Sequence, residues 1–175
     1  MSTRVRITAP EEVVRKVSGR RATERSSFPM GRAALLLAAA LALGQMQAVV
    51  GVYLRQVAGL MPPPESFTPK LLAAAPGWVI AVEQTREVAG YVALLCVGLL
   101  AGRSGRERAG AVLLAAGVAT LARYVGLYLT VGWPGGLKAL DVVTTIPRPV
   151  AAPVWWVLVA GVVCAGIGAV VLRRR

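Results

Sequence analysis

Glu83, Gln84, Arg86 and Glu87 stand together inside an otherwise apolar stretch. At spacings of three and four residues, Glu83, Arg86 and Glu87 share one side of a helix. Two carboxylates beside a guanidinium can form an ion pair, pass a proton, or hold a polar ligand. Arg123 and Tyr124 interrupt another apolar run, Gln45 and Gln47 a third, and Tyr91 follows Glu87 by one helical turn. The chain has no histidine. His-ligated haem, His zinc sites and Ser-His or Cys-His dyads are therefore excluded. Cys96 and Cys164 are far apart and form no CxxC pair, so both read as small apolar packing residues. No catalytic residue, cofactor or metal site is expected.

The elements that must position these side chains are apolar runs. Hydrophobic residues make up 56% of the 175 residues, with a mean hydropathy of +0.63. A membrane span needs roughly 20 mostly apolar residues. Four segments answer that description: 33–54, 78–102, 109–131 and 154–172. The second is a convincing span only if its helix runs back through the charged patch to Trp78. The expected fold is an all-α, four-helix membrane bundle comprising residues 32–175. A basic tail, residues 1–31, precedes it.

Charge orients the bundle. Net charge is +12, yet the basic residues are not gathered on one face, and no nucleic acid partner is expected. The tail up to Arg32 holds eight Arg and Lys against three Glu, the loop Arg103 to Arg108 holds three Arg against Glu107, and the chain ends in Arg173-Arg174-Arg175. The intervening segments are close to neutral. This is a positive-inside distribution, with both termini cytoplasmic in a bacterial inner membrane. Trp78, Trp133, Trp155 and Trp156 then all fall at the outer boundary, where an amphipathic ring suits the interface.

Depth gathers the polar residues into a layer. Counted from the cytoplasmic turn, Glu87 stands roughly 22 Å up its helix, and Arg123 and Gln47 roughly 21 Å up theirs. Tyr91 and Tyr124 complete the layer. Charges in hydrocarbon turn inward and pair. The first reading is a Glu87–Arg123 ion pair locking a hairpin of spans two and three, with Gln47 as a hydrogen-bonding staple. The second is a polar cavity open to the outside, and the third a proton relay. Strips of small residues at Ala40, Gly44 and Ala48 and at Gly161, Ala165 and Ala169 allow close helix approach, within one chain or between copies.

The loops carry further expectations. Thr8 and Glu11 fit a capping box for a short amphipathic helix in the tail; an unstructured tail is the alternative. Pro62 to Pro64 reads as an extended run, and Thr68-Pro69 as the start of a short interfacial helix. Residues 137–143 read as a second interfacial helix, with Lys138 and Asp141 as a solvated surface pair. Ile146 to Pro149 reads as rigid and extended, and Thr144-Thr145 as loop capping.

Pro62-Pro63-Pro64-Glu65 with Phe67-Thr68-Pro69, the Glu83 to Glu87 run, Gly132-Trp133-Pro134, Asp141 and Ile146-Pro147 with Pro149 together resemble a group of uncharacterised bacterial multipass membrane proteins. The resemblance covers most of the chain from the first span onward. It implies the same topology and brings no activity. The group has an acidic, aromatic-rich pattern before the Trp-Pro loop, of which Thr120-Leu121-Ala122-Arg123-Tyr124 keeps only the tyrosine. The expected role is a non-enzymatic accessory or assembly subunit whose partners are the lipid bilayer and another membrane subunit or a second copy. The alternative is a small-molecule or lipid binder or transporter working through the polar layer. A membrane enzyme ranks last.

Overall fold

The computed structural model describes residues 28–59 and 65–173. The expected tail helix from Thr8, the Pro62 to Pro64 run and Arg174-Arg175 lie outside the described residues. Within them, helices α1 (Met30–Val57), α2 (Pro69–Ala73), α3 (Gly77–Ala101) and α4 (Gly105–Val131) precede strands β1 (Leu140–Thr144) and β2 (Val150–Pro153) and helix α5 (Val154–Arg173). Three helices, α1, α4 and α5, are long and apolar enough to cross a membrane. The 20 residues of α5 alone span roughly 30 Å, the thickness of a hydrocarbon core. Helix α3 has 25 residues, with Glu83, Arg86 and Glu87 in its first half. Exposed faces carry large apolar side chains such as Leu35, Leu41, Leu95, Leu99 and Val162, which suits contact with lipid.

Helix α4 is the centre. It packs most extensively on α5 and α1, then on α3, whereas α3 and α5 make no substantial contact with each other. Small residues make these approaches possible. On α1, Leu36, Ala40, Gly44 and Ala48 are buried at four-residue steps; a Cβ on Gly44 would strike the Ala119 carbonyl of α4. On α5, Val154, Gly161 and Gly168 are buried at seven-residue steps, and a side chain on Gly168 would meet the backbone of Leu114 and Gly110. The first expected strip, Ala40, Gly44 and Ala48, is thus used within the chain; of the second, Gly161 is buried, while Ala165 and Ala169 are half-buried.

The ends of the helices follow local chemistry. At the α3–α4 turn, Ser104 caps α4 by accepting from the Glu107 N–H at 3.2 Å, and the Glu107 carboxylate accepts from the Arg103 N–H at 2.8 Å. This is close to a reciprocal capping box. Gly132 ends α4 in the left-handed conformation at φ 68°, its N–H donating to the Tyr128 carbonyl. Thr68 caps α2 through Leu71 N–H, with Pro69 at the first helical position, as expected.

The segment after α4 departs from expectation. The interfacial helix at residues 137–143 is absent; β1 and β2 form an antiparallel hairpin there, pairing Leu140 with Pro153, Asp141 with Ala152 and Val142 with Ala151. The fold is therefore mainly helical with a β-hairpin, not all-α. The run Leu140-Asp141-Val142-Val143-Thr144-Thr145 is rich in β-branched residues, which favour strands. A register shift between Val142 and Thr144 marks a bulge, and Ile146 to Pro149 makes the turn. The hairpin is tied to the first long connection: Phe67 N–H donates to the Leu140 carbonyl at 2.7 Å, and Leu140 N–H to Ser66 Oγ at 3.0 Å. Trp133, expected at an interface, is 2% exposed instead. It packs edge-on against Phe67 and stacks on Tyr124, under the cap made by these two connections.

Candidate functional site

Asp141 is the hub. Strand β1 turns it inward, where it is 0% exposed. Its carboxylate accepts from Tyr124 Oη at 2.8 Å, Arg123 Nη2 at 3.2 Å and Arg55 Nη2 at 3.3 Å. The expected solvated pair of Asp141 with Lys138 is thus replaced by a buried pairing with two arginines. A buried carboxylate is tolerated only with such charge-assisted partners. The Arg55 guanidinium also lies 3.8 Å from the Phe67 ring centroid and 5.0 Å from that of Trp133, a cation–π arrangement. Its Nη1 is buried and has no hydrogen-bond partner among the described residues.

The expected Glu87–Arg123 ion pair is not formed. Arg123 turns to Asp141, while Glu87 accepts from Thr145 N–H at 2.8 Å, Thr145 Oγ1 at 2.7 Å and Tyr91 Oη at 2.7 Å. The reason is geometric: the hairpin enters from the capped end and supplies each side with a nearer partner. Gln84 Nε2 adds a bond to the Thr145 carbonyl at 3.4 Å, so Thr145 clips the hairpin to α3. It does more than cap a loop. Glu83 and Arg86 pair along α3, with Arg86 Nε 2.9 Å from Glu83 Oε2. Gln47 Nε2 reaches the Arg86 carbonyl at 3.5 Å, a long bond between α1 and α3. Gly90 makes room for that amide, since a Cβ there would collide with Gln47.

Two cavities flank this layer. Gln47, Glu83, Arg123 and Thr145 line both. The first, about 50 Å³, lies toward the cap, against Arg55, Phe67, Leu72 and Val79. The second, about 170 Å³, adds Arg86, Glu87, Tyr91, Thr120 and Thr144 to its wall. Each exceeds the roughly 10–15 Å³ that one water needs. All seven residues singled out from the sequence, Glu83, Arg86, Glu87, Arg123, Gln47, Tyr91 and Tyr124, belong to this region. Six of them line the larger cavity. Tyr124 lies behind it on Asp141. Gln45 packs elsewhere, against Gly126.

Sequence reading missed Arg55, Asp141, Thr145 and Thr120. Arg55 follows Gln47 by eight residues, just over two turns, and so falls about 80° round the helix from it. The β-branched run around Asp141 was the available sign of a strand, in which alternate residues turn to one face. Among the described residues no cluster of three His, Cys, Asp or Glu side chains is placed to hold a metal ion. Comparison with known protein families, with curated proteins and with solved structures finds no match.

Proposed function

We propose that the chain is a four-span, non-enzymatic membrane protein that binds a small polar or amphipathic ligand in the cavity beneath its hairpin. In this reading α3 is the fourth span. Both termini lie in the cytoplasm, and the hairpin and α2 form an outer cap. The positive-inside distribution supports the orientation. The ligand reading rests on one observation: charged and hydroxyl groups from α3, α4 and the hairpin, while paired among themselves, still line about 170 Å³ of space. The cavity's charges, Glu83 and Glu87 against Arg86 and Arg123, balance.

A second reading, an accessory subunit that docks a partner on the cap, draws on the cap's preorganisation. Ser66 and Phe67 are fixed on Leu140, and Trp155 and Trp156 stack at its edge while remaining partly exposed.

The test is Thr120→Cys in a background lacking Cys96 and Cys164, treated in detergent micelles with a small uncharged maleimide. Ala115→Cys, at a fully buried position, is the control. Labelling at residue 120 and none at 115 is expected. Equal reactivity at the two positions would remove the cavity from consideration.

A further inference from the structure

The larger cavity has a side opening. Around α4, the residues that meet α5 are Gly110, Leu114 and Gly117, those that meet α1 are Ala119, Ala122 and Gly126, and Val112 meets Gly98 of α3. Leu113, Ala116 and Thr120 occupy the remaining side of the helix, between α3 and α5. These two helices do not close over it, and all three residues stay half-buried. We call this half-buried strip between the two helices the groove. Its floor is apolar at Leu113 and Ala116. Its upper end runs into the cavity at Thr120, whose Oγ1 bonds back to the Ala116 carbonyl at 2.9 Å. Leu94 of α3 and Val157 of α5 flank the junction. The hairpin shuts the top, because Thr145 is bonded to Glu87 across the gap.

We infer that this groove takes a phospholipid with a primary ammonium headgroup, a phosphatidylethanolamine, which enters sideways from the membrane between α3 and α5. The inference rests on the ligand reading above and names its ligand class. A site with an apolar lower groove, a charged upper chamber and a closed roof admits an amphiphile from the side, head uppermost. The chamber decides the head. Arg86 and Arg123 face it together with Glu83 and Glu87. A net anion meets the two carboxylates and a net cation the two guanidinia, whereas a headgroup carrying both charges a few ångströms apart finds an opposite charge at each end, beside the Glu83–Arg86 pair and the Thr145 and Tyr91 bonds to Glu87. Among the described residues Arg123 donates to Asp141 through Nη2; a guanidinium has five N–H donors, so others remain for a phosphate. Carboxylates accept N–H donors, which a primary ammonium has and a choline lacks. A quaternary ammonium is instead held in cages of aromatic rings, and Tyr91 is the aromatic residue in this wall.

The test uses the full chain in detergent micelles and a lysophosphatidylethanolamine bearing a photoreactive diazirine in its acyl chain. Irradiation followed by peptide mapping should place adducts on the 113–120 segment of α4 or the facing turns of α3 and α5. Unlabelled phosphatidylethanolamine should compete, and phosphatidylglycerol and diacylglycerol should not. Ala116→Trp, which fills the groove away from the charged groups, should abolish the adduct while leaving Thr120→Cys reactive. Adducts spread evenly over the lipid-facing surface, or equal competition by phosphatidylglycerol or phosphatidylcholine, would overturn the assignment. No adduct together with a reactive Thr120→Cys defeats this inference but leaves the ligand cavity standing, whereas an unreactive Thr120→Cys defeats both.

Discussion

Asp141→Asn is the perturbation that most directly probes how the cap is held. It keeps shape and an acceptor for Tyr124 but removes the charge facing Arg55 and Arg123. Breaking a buried ion pair by deleting one partner costs roughly 3–5 kcal/mol. The two arginine side chains retain 14% and 18% of their exposure, so the lower end, about 3 kcal/mol, is expected. At roughly 2–4 °C per kcal/mol for a chain of this length, Tm should fall by about 6–12 °C. The assay is thermal unfolding in detergent, followed by tryptophan fluorescence, since Trp133 stacks on Tyr124 beside the pair. Arg123→Gln measured alone and with Asp141→Asn should show coupling well above 0.5 kcal/mol, the usual bound for independent sites. A second cycle pairs Arg123→Gln with Glu87→Gln. If that cycle couples more strongly than the first, or if Asp141→Asn lowers Tm by less than about 2 °C, then Asp141 is not the counter-ion of Arg123 and the hairpin's placement is wrong.

Two further outcomes follow from single contacts. Thr145→Val removes the hydroxyl that donates to Glu87 and keeps the backbone N–H; it should cost roughly 1.5–3 kcal/mol in the same assay, the range for a hydrogen bond to a charged group. Gly168→Val drives a side chain into the backbone of Leu114 and Gly110. It should destabilise by at least roughly 1–3 kcal/mol and speed proteolysis of detached α5, whereas Gly166→Val, where the space is open, should leave both unchanged.

Much of the scaffold was legible in the sequence because it is written locally. The apolar runs, the Thr68-Pro69 start and Gly132 after α4 each act through neighbours a few residues away, and the helices begin and end near those marks. The rise per residue also made Glu87, Arg123 and Gln47 comparable in height before any contact was known. The second connection was less legible. Residues 137–143 are short enough to read as either helix or strand, and the bonds that decide for a strand come from residues 150–153 and from Ser66 and Phe67.

The sequence by itself determined a chain of long apolar helices, with its few charged intrahelical residues at similar heights and its small residues on defined strips. These are properties of periodicity and composition, which need no knowledge of what lies opposite. Tertiary structure alone decided the partners. Arg123 had Glu87 at the right height on the neighbouring helix, yet Asp141 holds it, because a hairpin 18 residues downstream folds back into the same layer. Glu87 in turn is held by Thr145, 58 residues away. Electrostatic attraction depends on separation in space, and the loop conformations that set that separation are fixed only when distant segments pair.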